Sequence, residues 1–223
     1  MKRSYKFGLT AIAAAAVVLI VAAIIAAIPS CDNRIYFSVS YYFVCYKSAD
    51  DAHSAASVSS TVQSYGGAGY IIKIGTSYYV TVACYYNEED AQSVCSSLGN
   101  EGLSCRMVEA LTEGYKLPAS LSQYKSNIHG ALTALDQLGI IFYQTANSLD
   151  SGEISTSAAQ SVLDDARSTL CGLLKNNQNN ALHDEIEYLI ALVDDISGSY
   201  IYAREIRALQ VAVCDAILNV NFN

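Results

Sequence analysis

The chain carries two different hydrophobic periods. Within residues 35–110, apolar and polar residues alternate along short segments, which is typical of half-buried β-strands. From Leu117 onward, apolar residues return every third or fourth position, which is typical of amphipathic α-helices. We therefore predict an α+β chain in which a sheet-containing module, residues 35–110, is followed by an all-helical part, residues 115–223.

The sheet-containing module repeats one pattern twice. Each half opens with an alternating strand and crosses an acidic pair followed by alanine, first at Asp50 and Asp51 and again at Glu89 and Asp90. Each half then runs through a small-residue helical segment, turns at glycine and returns along an apolar strand. The order β-α-β-β-α-β predicts a ferredoxin-like sandwich, one sheet with both helices on a single face. The expected helices are residues 49–64 and 88–98.

The strand alternation predicts which face of this sheet is covered. Val39, Phe43, Val80 and Val82 are expected beneath the two helices. The opposite face is then expected to be open, and it would carry Tyr36, Ser38, Ser40, Tyr42, Lys73, Tyr79, Thr81, Tyr85 and Arg106.

The duplicated unit resembles the SPOR domain family, whose pattern is an aromatic, valine-rich strand followed by an alanine-bearing helix. The strand Tyr79 to Tyr86 and the helix after it carry this resemblance, with Tyr41 and Ala83 standing where the family has a strand glycine. The resemblance implies non-enzymatic binding of peptidoglycan, with a preference for denuded glycan, at division or sporulation septa. It implies that the open sheet face makes the glycan contacts, at Tyr36, Ser38, Ser40, Tyr42, Tyr79, Thr81, Tyr85 and Arg106.

The predicted face suits a sugar chemically. Sugar rings present C–H faces that pack on aromatic rings, and their hydroxyls pair with Ser, Thr and Tyr hydroxyls. Two alternatives remain open: the tyrosines only stabilise cross-strand pairs, or they are covered by the C-terminal helical part or by another protein surface. In the last case the chain is a scaffold whose sheet and helical part dock protein partners in a membrane complex.

The helical part predicts a bundle of three to four helices. The number depends on whether Ser197, Gly198 and Ser199 break the last amphipathic run. If they do, the bundle is antiparallel and Cys171 and Cys214 lie at one level, within reach of a disulfide. Such a bundle would serve as a partner or oligomerisation surface, or as a spacer.

The N-terminal segment is the most apolar part of the chain. From Gly8 to Ile28 only Thr10 is polar, and a helix of this length spans roughly 30 Å. Basic residues precede it, so residues 1–30 are predicted to be a cytoplasmic stub and a transmembrane anchor. The chain would then be a single-pass cell membrane protein with its bulk outside the cytoplasm. A cleaved signal peptide, or a lipid attached to Cys31, are the alternatives.

The net charge and the candidate reactive residues argue against several classes of function. The net charge of −8 argues against nucleic acid as a partner. His53, His129 and His183 are scattered and no catalytic motif occurs, so neither an enzyme, a metal site nor a cofactor is predicted. Seven cysteines in an exported chain favour disulfides, and burial as a small hydrophobic side chain is the alternative for each of them.

Overall fold

The first half of the described chain forms strands and helices in the order that the repeated pattern predicts. The structure is a computed structural model, and it describes residues 33–178, 181–197 and 200–222. Two helices, α1 (Ala52–Ser64) and α2 (Glu88–Asn100), lie between strands. The strands are β1 (Arg34–Ile35), β2 (Val39–Ala49), β3 (Ile71–Ile74), β4 (Ser77–Tyr85), β5 (Arg106–Thr112) and β6 (Tyr115–Lys116).

The strands form two antiparallel sheets. The main sheet has the order β3-β4-β2-β5, and the short strands β1 and β6 pair with each other. Both helices begin at a side-chain cap. The Asp51 carboxylate accepts a hydrogen bond from the Ser54 amide at 2.8 Å, and the Asn87 side chain accepts one from the Glu89 amide at 2.7 Å. These bonds satisfy amide groups that would otherwise lack partners in the first helical turn.

Two irregularities in the β2–β4 pairing change which residues share a face. Val44 pairs with Ala83 but Cys45 pairs with Thr81, so the register skips Val82; between Cys45 and Lys47 it skips Tyr46. Each extra residue reverses the alternation of the strand that carries it. The covered face predicted from strict alternation is therefore wrong, because Phe43 and Val80 belong to two different apolar clusters.

The second half of the described chain is helical. A 3₁₀ turn (Ala119–Tyr124) leads into α3 (Lys125–Asp150), followed by α4 (Thr156–Asn176), α5 (Leu182–Ser197) and α6 (Ala203–Asn219). Helix α3 packs mainly on α6, and α4 mainly on α5. The last amphipathic run thus forms two helices, one ending at Ser197 and the next beginning at Ala203, as the four-helix alternative predicted.

The helical half and the sheet share one core. Residues 34–223 cluster into a single compact unit. The Tyr41 hydroxyl donates to the Asp136 carboxylate of α3 at 2.8 Å, and the Gln210 side chain of α6 donates to the Cys84 carbonyl at 2.8 Å. Helices α1 and α2 pack on the other face, where Val80 meets Ala55 and Val62. In the described part of the chain, neither face of the main sheet is open across all its strands.

The predicted membrane placement is corrected by the structure. Among the described residues, no helix is both long enough and apolar enough to cross a membrane. The helices are amphipathic, and even the longest, α3, carries Lys125, Asp136 and Asp150. The predicted fold class is wrong in including a transmembrane helix. The predicted localisation as a single-pass membrane protein is wrong for the same reason. The segment Gly8–Ile28, on which that prediction rested, and Cys31 lie outside the described residues.

The turn between β5 and β6 gives a test of the packing around the β1–β6 pair. Gly114 has a φ of +129°, and a Cβ atom there would overlap the carbonyl oxygen of Ile35. We expect Gly114→Ala to lower the free energy of unfolding by roughly 2–4 kcal/mol, because both the backbone conformation and the close approach require glycine. Urea denaturation measures the change. Gly130→Ala is the control, since open space surrounds that helical position and alanine there gains up to about 1 kcal/mol. Equal stabilities for the two variants would contradict this packing.

Candidate functional site

The predicted glycan-binding residues lie in separate places. Ser38 and Ser40 are exposed, and Tyr42 is half-buried opposite Glu109 on β5. Burial, followed by the Glu109 and Glu88 carboxylates, raises the pKa of Tyr42. Because Glu88 belongs to α2, Tyr42 lies on the sheet face that carries α1 and α2.

The other predicted residues do not join them. Arg106 and Tyr79 lie on the opposite face, with the guanidinium 5.9 Å from the ring centroid. Thr81 is fully buried and has a structural role. Tyr85 packs edge-on against Tyr143 of α3, and Tyr36 lies outside the main sheet with 68% of its surface exposed. The eight residues therefore form no continuous surface, and their contact with sugar stays a prediction.

A groove of about 510 Å³ lies where the α1–β3 connection meets α5 and α6. Two tyrosines, Tyr70 and Tyr188, line it, and burial, followed by the neighbouring Tyr188 hydroxyl, raises the pKa of Tyr70. We call it the Tyr70 groove. Its lining residues are Gln63, Ala68, Gly69, Tyr70, Ile71, Tyr188, Leu192, Asp195, Ile196, Glu205 and Ala208.

The backbone around Tyr70 is held by its neighbours. The Thr81 amide and hydroxyl both donate to the Tyr70 carbonyl, at 2.9 and 2.8 Å. The Gly69 amide donates to the Thr81 carbonyl at 2.9 Å. Gly69 has a φ of +64°, and a Cβ atom there would lie 2.9 Å from the Ser59 carbonyl oxygen. Glycine is thus required next to Tyr70, and the ring is set on a rigid edge of the sheet.

The electrostatics of the Tyr70 groove are acidic. Asp195 and Glu205 line it, and its lining contains no lysine or arginine among the described residues. Near Tyr70, the Asp215 carboxylate accepts a hydrogen bond from the Asn219 amide at 2.7 Å. Burial, and then the nearby Glu185, raise the pKa of Asp215 to about 6. Burial also raises the pKa of Glu185.

An exposed aromatic surface adjoins the Tyr70 groove. The rings of Tyr200 and Tyr202 are 4.8 Å apart, and the Arg204 guanidinium lies 4.5 Å from the Tyr202 ring. The Tyr202 amide donates to the carboxylate of Glu205, which lines the groove, at 2.9 Å. The groove and this surface together offer aromatic faces, which pack on the C–H faces of a sugar, and carboxylates and an amide, which pair with its hydroxyls.

The sequence prediction missed this groove because its walls come from distant parts of the chain. Tyr70 directly precedes β3, and Tyr188 lies 118 positions later. One signal was available: Tyr188 stands among acidic residues on the polar side of α5, and it is 46% exposed. A large aromatic ring on a polar helix face is a candidate contact residue.

The predicted disulfide partners have different surroundings. Cys171 is half-buried on α4, with its sulfur 4.0 Å from the Arg167 guanidinium. Cys214 is buried on α6, where its sulfur lies 3.9 Å from the Tyr86 hydroxyl and its thiol contacts that of Cys84. The six cysteines of the described residues are all free. The pair is thus not bonded in this structure.

One side-chain cluster has the composition of a metal site. The ligand atoms of His183, Asp184 and Glu187 lie within 4.8 Å of one another in the first turns of α5. Both carboxylates are exposed. The two carboxylates attract a cation, and the positive end of the helix dipole, equivalent to about half an elementary charge, opposes it only in part.

Part of the chain resembles a solved structure. No protein-family model matches the chain, and no curated protein matches it. A solved structure that it resembles is the peptidoglycan-binding domain of the B. subtilis cell wall lytic enzyme CwlC, at 16% sequence identity and a TM-score of 0.28. The match covers 34% of this chain and 95% of that domain. Membership of the SPOR family stays a prediction.

Proposed function

We propose that this chain binds peptidoglycan glycan strands without cleaving them and that the Tyr70 groove holds the sugar. The observation that carries the proposal is the pair of tyrosine rings, Tyr70 and Tyr188, facing one groove that also contains an amide and two carboxylates. A volume of about 510 Å³ lies within the range of small-molecule sites, roughly 300–1,000 Å³. The groove therefore has room for a short stretch of glycan.

The side chains that line the groove can contact both the apolar C–H faces and the hydroxyl groups of a sugar. The rings of Tyr70 and Tyr188 supply flat apolar faces for the C–H side of a pyranose. The Gln63 amide donates and accepts, while the Asp195 and Glu205 carboxylates accept from hydroxyl groups. Because the Tyr70 backbone is fixed by Thr81, binding there requires little ordering of the protein.

Charge favours glycan that has lost its stem peptides. The chain has a net charge of −8, and the lining of the Tyr70 groove adds carboxylates without a basic residue. Acidic stem peptides near the groove would be repelled, whereas a neutral sugar strand would not. The septal setting that the SPOR resemblance implies stays a prediction.

The position of Asp215 supports the proposal of binding without cleavage. Glycoside hydrolysis requires a protonated carboxyl facing the scissile bond, with a second carboxylate at a set distance. Asp215 has a raised pKa, but it lies near Tyr70 and is not among the groove-lining residues. Asp215 is thus not placed to protonate a ligand in the groove.

The test is co-sedimentation of the full chain with purified cell-wall sacculi, either intact or stripped of stem peptides by an amidase. We expect tighter binding to stripped sacculi, and about a 5–10-fold loss of affinity in Tyr188→Ala, because one aromatic contact contributes about 0.5–1.5 kcal/mol beyond its buried area. Tyr65→Ala is the matched control, since that tyrosine is 72% exposed and does not line the groove.

Two results would contradict the proposal. One is an absence of binding to both kinds of sacculi. The other is binding that Tyr188→Ala and Tyr65→Ala reduce equally, which would move the contact away from the Tyr70 groove. Preferential binding to intact sacculi would overturn the charge argument alone.

A further inference from the structure

Cys95 and Cys105 are held next to each other on neighbouring elements. Cys95 lies in the second half of α2, and Cys105 immediately precedes β5. Burial, and then the neighbouring Cys95 thiol, raise the pKa of Cys105, so the two thiols lie close together, and both residues are half-buried rather than enclosed. Sulfur atoms in such contact need only a small movement to reach bonding distance, provided that the chain around them is already positioned.

The chain between the two cysteines is ordered by the end of α2. The Gly102 amide donates to the Gly99 carbonyl at 3.0 Å, and the Leu103 amide donates to the Leu98 carbonyl, also at 3.0 Å. These bonds end the helix and turn the chain back along α2. Helix α2 also packs on β5. Cys105 is thus brought alongside Cys95 by backbone hydrogen bonds and not by a flexible loop.

We propose that Cys95 and Cys105 form a disulfide that ties α2 to the start of β5, with glutathione disulfide or a protein disulfide of similar chemistry as the oxidant. One protein thiolate attacks the glutathione disulfide and releases a first glutathione. The second protein thiolate then attacks the mixed disulfide and releases the other. Two protein thiols are oxidised, one glutathione disulfide is reduced, and the two protons end on the two glutathione thiols.

The remaining cysteines of the described residues differ from this pair. Cys84 and Cys214 also contact each other, but both are fully buried between the sheet and α6, where an oxidant has no access in the folded state. Cys45 is buried as well. Cys171 is half-buried and contacts Arg167, so it reports whether the oxidant reaches a thiol of similar exposure.

The disulfide would stabilise the folded chain. It closes a short loop and so removes conformations from the unfolded state. For a loop of about ten residues in a chain of this size, we expect the Tm to rise by about 5–10 °C. Cys105 also lines a small apolar cavity with Val62 and Leu98, so the bond would fix one wall of that cavity.

The test oxidises the folded, reduced full chain with glutathione disulfide and blocks the remaining thiols by alkylation. Cleavage after Glu101 separates Cys95 from Cys105, so mass spectrometry of unreduced peptides detects the bond directly. We expect a Cys95–Cys105 link that reductant removes, glutathione or alkyl groups on Cys171, and the rise in Tm. Cys105→Ser should leave Cys95 as a glutathione adduct without the rise, and Cys171→Ser should keep both the link and the rise.

Modification of Cys171 together with alkylated Cys95 and Cys105 would overturn the proposal, because the oxidant would then have reached an exposed thiol and left the pair unbonded. A link from Cys95 or Cys105 to any other cysteine would overturn it as well.

Discussion

Tyr41→Ala is expected to lower the free energy of unfolding by about 3–5 kcal/mol, the cost typical of removing a fully buried aromatic ring. The Tyr41 ring is entirely buried and packs edge-on against Phe43 and Tyr86, and its hydroxyl donates to Asp136 of α3. The substitution removes this packing and leaves the Asp136 carboxylate without its donor. Thermal unfolding should show a Tm about 10 °C lower.

The neighbouring tyrosine provides the control. Tyr42 points to the opposite face of the same strand and is only half-buried. We expect Tyr42→Ala to cost about 1 kcal/mol or less, since little packing is lost there. If the two variants were equally stable, or if Tyr42→Ala were the less stable of the two, the helical half would not cover the Tyr41 face of the sheet.

Asp215→Asn is expected to stabilise the chain by about 2–3 kcal/mol at neutral pH. The pKa of Asp215 is raised from 3.8 to about 6 in the folded state, chiefly by burial and then by Glu185, and each pKa unit corresponds to about 1.4 kcal/mol. Asparagine avoids the partly buried charge, and its side-chain oxygen can still accept from Asn219.

The raised pKa of Asp215 determines how the stability of the folded chain changes with pH. Between about pH 4 and 6 the folded state holds a proton on Asp215 that the unfolded state has lost, so the stability contributed by this group is complete below pH 4 and is lost as the pH rises through 6. The difference between Asp215→Asn and the unchanged chain should therefore be small at pH 4 and largest above pH 6.5.

Urea denaturation across this pH range measures the difference between the two chains. Asp165→Asn, an exposed carboxylate on α4, is the control and should show no such trend. A stability difference for Asp215→Asn that stays constant from pH 4 to 7.5 would contradict the account of a buried carboxyl near Tyr70.

The order of the elements could be predicted from the sequence because it depends on local pattern. The repeated strand, acidic pair and glycine turn indicate each β-α-β half, and the three- and four-residue spacing indicates the later helices. The faces could not be predicted in this way. Skipping Val82 on β4 and Tyr46 on β2 reverses the alternation, and these bulges depend on how two strands pair rather than on either strand alone.

The candidate site was missed for a related reason. Alternation alone placed Tyr79 and Tyr42 on one surface, while the structure places them on opposite faces. Tyr70 and Tyr188 meet only because α5 and α6 pack beside the edge of the sheet, a contact between distant parts of the chain. Long-range packing of this kind leaves no local signal beyond an exposed aromatic residue on a polar helix face.

Amide chemical shifts during titration with peptide-free glycan oligomers test the central claim most directly. The isotope-labelled full chain would be titrated with oligomers of increasing length. We expect saturable shifts at Gly69, Tyr70, Leu192 and Glu205, with little change at Ser40 and Tyr42. Shifts centred on Ser40 and Tyr42, or none anywhere at saturating oligomer, would contradict binding in the Tyr70 groove.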